Sequence, residues 1–353
     1  MTAKTVLRGA LLGVGHVAVG AHLPGWRARG DAEIVAAADA EPARREALRE
    51  TFPDARWYDS AEALLEAEGE SLDFVDVCTP PASHAALARA ALERSAHVLC
   101  EKPLVRVPEE LRGLPALAAE KERTLCTVHN WLLAPAIAQL TGLVRSGAVG
   151  DLRRVRWETL RDRPAVAVGE GDNWRVDAAR SGGGILVDHG WHAVYTLSAW
   201  IRASPIRVAA RLETRRHTQW AIEDTATVFL AYPSASAEIF LTWTAEGRAN
   251  RVELEGTAGI LRLDGGRLAL ESASAPPREW SVPPLTEGSH HPDWFGGVID
   301  EFLGEIGDPR RRGRNLAEAT LCVQVLAHAR ESSQRNGEPV GLGRRAGVPG
   351  AGG

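Results

Sequence analysis

The sequence predicts an α/β fold in two parts: a doubly wound parallel sheet, then an α/β domain whose sheet is open and mostly antiparallel. Three observations carry this. Residues 5–128 alternate short apolar runs with helical stretches, the pattern of parallel strands covered on both faces. A glycine-rich turn follows the first apolar run, at the strand-to-helix junction where such sheets bind ligands. After about residue 150 the runs lengthen into period-2 alternation, which marks strands with one face partly open.

Taken in order, the first region has strands at Val6–Leu12, Glu33–Ala38, Leu72–Cys78, His97–Cys100 and Thr124–His129, with a weaker one at Arg56–Tyr58. Helices are expected at Pro42–Thr51, Ser60–Glu68, Ser83–Arg94 and Pro108–Lys121. Pro42 and Pro108 suit a first helical turn, where the missing N–H has no partner to lose. Ser60 suits an N-cap. A helix at Ala134–Ser146, stopped by Gly147, a strand at Leu152–Leu160 and a helix from about Leu186 to Ile201 follow. Alternation then gives strands at Ile206–Thr214, Thr225–Tyr232, Ser236–Thr244, Arg248–Glu255 and Gly259–Asp264. Helices at Trp294–Ile306 and Leu316–Ser333 are expected to pack back on the body, and the glycine-rich Gly341–Gly353 reads as a flexible tail. The resulting division is 1–128, 129–340 and 341–353.

Composition narrows the function. A chain of 353 residues is long enough for about two domains. Its net charge of −5 argues against nucleic acid as a partner, which favours a basic face. No apolar run reaches the ~18–20 residues of a membrane span. Lys4 and Arg8 precede apolar residues, but without a clean cleavage site that segment reads as a strand. Four cysteines without a CxxC pair (Cys78, Cys100, Cys126, Cys322) read as buried core residues in a reducing cytoplasm. Tryptophan is uneven. Of 11, only Trp26 and Trp57 precede residue 129.

The glycine turn is Gly13-Val14-Gly15-His16-Val17-Ala18, G-x-G-x-x-A between a strand and a helix. Gly13 allows the tight turn, Gly15 lets a pyrophosphate approach the backbone, and Ala18 allows close helix–strand packing. The phosphates then meet free N–H groups at a helix N-terminus, with His16 and Val17 beside them. An acid is expected at the end of the second strand, and Asp39 stands 24 residues after Gly15. Its carboxylate suits ribose hydroxyls and repels a 2′-phosphate. NAD is therefore favoured over NADP, and Arg44 and Arg45 in the next helix are the residues that soften the preference.

The stretch CTPPASHAALARAALERSAHVLCEKPL, from Cys78 to Leu104, resembles the Gfo/Idh/MocA oxidoreductases, and so does SGGGILVDHGWH, from Ser181 to His192. The resemblance covers most of residues 5–335 and implies a Rossmann domain followed by a substrate domain whose sheet often forms oligomer contacts. A homo-oligomer, dimer or tetramer, is expected. The resemblance also assigns Thr79, Pro80, His84, Glu101, Lys102 and Asn130 to the cofactor side. It makes His192 the general acid/base and Asp188 its partner or a substrate-hydroxyl ligand, and it implies a cis Lys102–Pro103 bond.

The residues argue the same chemistry. Taking hydride from a secondary alcohol needs a group that accepts the hydroxyl proton. Lys102 ends a strand at the ligand-binding edge, where an ammonium polarises the oxygen. Glu101 either orients Lys102 or contacts the cofactor. Asp188 and His192, four apart, share one helix face, and histidine titrates near neutrality. His189 adds a substrate contact or simply packs. A metal is not expected, because neighbouring helical residues point apart and a site needs three or four convergent ligands. Trp131, Trp174 and Trp191 fall beside the site, and indole faces suit the C–H faces of sugar rings. Arg175 is open to either an anion or a structural ion pair. His290, His291 and the run Arg310–Arg312 with Arg314 read as surface loops.

The expected activity is hydride transfer between a nicotinamide and a hydroxyl or ketone of a sugar, cyclitol or related polyol. Two rival readings remain open: a sensor that binds nucleotide and sugar without turnover, and a hydrolase or lyase that oxidises its substrate only transiently.

Overall fold

The computed structural model describes residues 6–165, 173–272, 274–286 and 291–343. Six strands form the first sheet: β1 (Leu7–Leu12), β2 (Ala32–Ala38), β3 (Arg56–Tyr58), β4 (Phe74–Val77), β5 (His97–Cys100) and β6 (Leu125–Thr127). Their order is β3-β2-β1-β4-β5-β6 and every pair is parallel. The strand order reverses between β1 and β4, and the crevice above their carboxyl ends is where this architecture takes its ligand. The connecting helices are α1 (Leu23–Arg27), α2 (Arg45–Thr51), α3 (Ala61–Glu68), α4 (His84–Glu93) and α5 (Leu114–Glu120). Ser60 caps α3 by accepting the Ala63 N–H at 3.1 Å. The helix expected from Pro108 begins only at Leu114. Pro115 has no N–H to give the Leu111 carbonyl, which takes the Leu114 N–H instead.

The next helices are α6 (Pro135–Arg145), α7 (Ala178–Ser181) and α8 (Trp191–Ile201). The second sheet runs β7 (Leu152–Leu160), β8 (Arg207–Glu213), β9 (Thr225–Ala231), β10 (Ser236–Thr242), β11 (Ala249–Gly256), β12 (Gly259–Asp264), β13 (Arg267–Ser272), β14 (Ala275–Ser281) and β15 (Val340–Gly341). Its order is β14-β13-β12-β11-β7-β10-β9-β8-β15, antiparallel except for β7 against β10. Sequence alternation stopped at Asp264 and missed β13 and β14. Pro276 and Pro277 hide β14, and its place at the sheet edge is where a strand tolerates proline. Gly341, expected in the tail, pairs with Arg207; residues 344–353 lie outside the described residues.

Two long helices close the molecule, α9 (Pro292–Gly307) and α10 (Arg314–Gln334). The apolar face of α9 lies on the first sheet's layer, where Phe295, Ile299 and Phe302 join Trp26 and Phe74 in one core. On α10, the Asn315 side chain accepts the Thr127 N–H at 2.6 Å and donates to the Thr127 carbonyl at 2.9 Å. It thus satisfies the edge of β6, which has no further strand to pair with. Among the described residues no helix is long and apolar enough to cross a membrane.

Candidate active site

The nucleotide end is set by Gly13. Its φ is +91°, and a Cβ there would sit 2.8 Å from the Thr79 nitrogen, so the β1 and β4 turns close on each other only with glycine. A Cβ on Gly15 would meet only the Arg44 guanidinium, at 3.6 Å. The backbone there is open to a pyrophosphate from one side, with His16 exposed and Val17 half-buried beside it. Asp39 ends β2. Its Oδ2 accepts the Val14 N–H at 2.7 Å and an Arg44 N–H at 3.1 Å, while Oδ1 accepts the Glu41 N–H at 2.8 Å. The carboxylate thus caps the next segment and pins the glycine turn. The residues fit a dinucleotide: a glycine cradle, a carboxylate just past the second strand, and a buried, unpartnered Asn130 Oδ1 after β6.

Thr79 and Pro80 follow β4 and are half-buried. His84, expected on the cofactor side, is held inside the protein. The ring is buried, with Nε2 2.7 Å from the Thr79 carbonyl and Nδ1 2.8 Å from the Pro103 carbonyl. Both nitrogens are taken by backbone, so His84 ties the two loops together. The Lys102–Pro103 bond is cis. Glu101 orients the lysine, its Oε2 accepting the Lys102 N–H at 2.9 Å, while Oε1 meets His22 Nε2 at 3.1 Å. His22 was not anticipated. It also contacts Asp76 at 2.8 Å and the Cys78 sulfur at 3.0 Å. These are hydrogen-bond spacings, and Trp26 donates to the same Asp76 oxygen at 2.7 Å. Although buried, His22 is pushed up to about 9 by Asp76 and Glu101, against the opposing effect of burial.

Lys102 reaches across to the second half of the chain. Its Nζ donates to Asp188 Oδ1 at 2.8 Å and to the Asp188 carbonyl at 2.9 Å. Asp188 therefore pairs with Lys102 and not with His192, whose partner it is in one of the two roles that the family resemblance implies. The reason is local. Leu186–Gly190 is a wide π turn, and the ammonium offers the carboxylate an ion pair that a neutral ring does not. Burial alone would raise the Asp188 carboxyl, yet Lys102, His189 and Arg175 hold it well below the usual carboxylate range. Three glycines lead into the turn. A Cβ on Gly184 would lie 1.8 Å from the Glu223 carbonyl oxygen, and Glu223 Oε1 accepts the Gly184 and Leu186 N–H groups at 3.0 and 3.1 Å. Glu223, also unanticipated, is the clamp that places Asp188.

His189 Nε2 lies 3.6 Å from Asp188 Oδ2, and burial brings its ring down to about 3. His192 is 5% exposed, and burial, with Lys102 adding to it, holds its ring neutral well below 6.5. Its Nδ1 meets the Tyr195 hydroxyl at 2.9 Å. Tyr195 sits one helical turn on, at i+3, the spacing that would have flagged it. Trp131 is a second correction. It is 6% exposed and stacked on His192 at 4.6 Å and 12°, with Trp157 at 5.8 Å. It walls the histidine and presents no free face to a sugar. Trp191 is fully buried against His129. Trp174 stays at the mouth with Arg175 lying over its ring at 4.5 Å. Pro81, Lys102, Trp174, Arg175, Gly183 and Asp188 line one cleft. His291 stacks on Trp294 at 3.6 Å, and His290 lies outside the described residues. Arg310 is exposed and paired with Asp308.

A doubly wound dinucleotide fold with a lysine and a histidine at its crevice defines an oxidoreductase site. Residues 7–129 match the family model described as oxidoreductase family, NAD-binding Rossmann fold, and residues 137–262 match the GFO/IDH/MocA C-terminal domain. The chain belongs to the Gfo/Idh/MocA oxidoreductase family. It is 32% identical to the D-apiose dehydrogenase of Paraburkholderia graminis, over 94% of this chain and 90% of that one. A D-glucoside 3-dehydrogenase of Escherichia coli is 32% identical over 54% of each chain. An inositol dehydrogenase homolog of Azotobacter vinelandii, solved with NAD+, shares the fold with a TM-score of 0.81, at 22% identity over 96% of this chain and 98% of that one.

Proposed function

We propose that this oxidoreductase moves hydride between NAD(H) and a secondary hydroxyl or ketone of a sugar, cyclitol or related polyol. Residues 1–128 hold the dinucleotide and 129–340 build the substrate side. The observation that carries the reading is the Lys102–Asp188 pair, which joins the E-K-P turn to the glycine-led turn of the other half. The names of the curated relatives, dehydrogenases of D-apiose and of glucosides, support a sugar substrate.

When bound, the nicotinamide supplies or takes the hydride. The chain supplies the rest. Gly13, Gly15, Asp39 and Asn130 bind and orient the dinucleotide. Lys102, fixed by Glu101 through its backbone and by Asp188 at its ammonium, has one N–H left for the substrate oxygen. Lys102 and His192 converge on that oxygen and between them handle its proton. Trp131 shields His192 from water, and the Trp174–Arg175 stack borders the substrate ring. Among the described residues no disulfide joins the cysteines, which supports a cytoplasmic setting. The open face of the second sheet, with Phe229 half exposed, supports a homo-oligomer of two or four chains.

Purified protein is mixed with NAD+ and a polyol panel, and reduced nicotinamide is followed by absorbance. Lys102→Met is expected to lower kcat by about 10²–10⁴-fold while nucleotide still binds. Wild-type rates in that variant would remove Lys102 from the mechanism. Nucleotide binding without turnover across the panel would turn the reading toward a sensor.

A further inference from the structure

The family resemblance gives His192 the proton, yet the atoms around its ring point to a different division of labour. Only one ring nitrogen, Nδ1, is engaged, by the Tyr195 hydroxyl at 2.9 Å. That hydroxyl also accepts the buried Trp131 backbone N–H at 3.0 Å. Among the described residues it has no third partner. The His129 ring covers the Tyr195 ring at 4.1 Å, and Tyr195 is 1% exposed. A phenol has one hydrogen and two lone pairs. If Nδ1 carried a proton, the oxygen would accept twice and its own hydrogen would be buried without an acceptor, an arrangement native interiors avoid. If Nδ1 is bare, the Tyr195 O–H donates to it, the Trp131 N–H is accepted, and every group is satisfied.

We propose that Tyr195 locks His192 as the neutral tautomer protonated at Nε2, so that His192 is a fixed hydrogen-bond donor to the substrate oxygen and Lys102 is the group that exchanges the proton. This rests on the functional reading above, which puts both side chains at that oxygen. Trp131 stacked at 4.6 Å keeps the ring from turning and from water. A neutral imidazole used as an electrophile has precedent in triosephosphate isomerase.

The balance is simplest in the reducing direction. The carbonyl carbon gains a C–H bond by taking hydride from the reduced nicotinamide, and the C=O π pair moves onto oxygen. That oxygen, held by His192 Nε2–H, takes a proton from the Lys102 ammonium. An N–H bond breaks, an O–H bond forms, and the lysine amine is reprotonated by water. His192 keeps its proton throughout. In the oxidising direction each step reverses, with the neutral amine of Lys102 as base. Tyr195 is then a positioning residue that acts through the tautomer.

Two measurements test this on the full-length protein loaded with NAD+. Nitrogen-15 NMR of histidine-labelled protein, with His192 assigned by its loss in the His192 variants, is expected to show Nε2 protonated, Nδ1 bare, and no titration around neutrality. A protonated Nδ1 overturns the proposal. The second measurement compares His192→Gln with His192→Ala in steady-state reduction. A glutamine amide donates a hydrogen bond but cannot exchange a proton. Removing a fixed donor at the oxygen lowers kcat by about 10²–10³-fold in the alanine variant, and glutamine is expected to stay within about 10-fold of wild type. Glutamine as impaired as alanine overturns the proposal and leaves the dehydrogenase reading in place. Loss of all hydride transfer in the wild type removes that reading, and the NMR result still decides the tautomer.

Discussion

The Asp39–Arg44 pair governs which dinucleotide the site prefers. Asp39 is 7% exposed as a side chain and Arg44 is a third exposed, 3.1 Å away and close over Gly15. The carboxylate repels a 2′-phosphate and also pairs with Arg44, a cation that would welcome one. Asp39→Ala removes the repulsion and takes one carboxylate partner from Arg44, and the ratio of kcat/KM for NADP over NAD is expected to rise by about 10-fold, the scale of one removed repulsion and one charge-assisted hydrogen bond. An unchanged ratio would show that the ribose end is set elsewhere. Asp39, Lys102 and Asp188 were legible because motif spacing fixes where they stand on strand ends and turns. Trp131 was misread and His22 passed over for one reason: sequence says which residue stands near a site, not which way its ring faces. Six of the tryptophans in the second half, Trp131, Trp157, Trp191, Trp200, Trp243 and Trp294, are buried side chains, so much of the tryptophan excess is core.

The elements that mattered most for the site are the ones whose partners periodicity cannot name. The α9 helix was expected at Trp294–Ile306 and runs Pro292–Gly307, yet nothing in its apolar stripe says that it docks on the first sheet and not the second. Phe302 is fully buried there, 6.0 Å from the Phe74 ring and 6.4 Å from Trp26. Phe302→Ala is expected to destabilise by about 3–5 kcal/mol through lost burial and the cavity left behind, read as a lower urea midpoint at unchanged slope. A loss under about 1 kcal/mol would mean that α9 is peripheral. Because α9 also packs Phe295 on His22 at 4.0 Å, the same variant is expected to weaken NAD binding. The π turn at Leu186–Gly190 was illegible for another reason. It arises because Glu223, 37 residues downstream of Leu186, binds the N–H groups at its start.

At the scale of the whole molecule these buried charges set the pH of greatest stability. Stability rises with pH wherever the unfolded chain binds more protons than the native one, and falls where it binds fewer. His84, His97, His189 and His192 are all held low by burial, His97 to about 4 and His189 to about 3. Unfolding lets them take protons below their ordinary 6.5, so each loses stability as pH falls from 6.5 toward its native value. His22 has the opposite sign. Raised from 6.5 to about 9, it contributes fully below 6.5 and loses that contribution as pH climbs through 9. Glu301, raised by burial and Glu318 to about 7, lowers stability as pH rises from 4.5 to 7 and nothing beyond. Above 7 the basic limb therefore belongs mainly to His22. With about 1.4 kcal/mol per pH unit of differential binding, its contribution is on the order of 3 kcal/mol. Urea unfolding across pH is expected to show a maximum near 6.5–7 and a decline toward 9. In His22→Gln the maximum should be lower and the basic decline largely gone. A wild-type curve flat from 7 to 9, or a variant with the same basic slope, would mean that the Asp76–His22–Glu101 cluster is not held together by a charged imidazole.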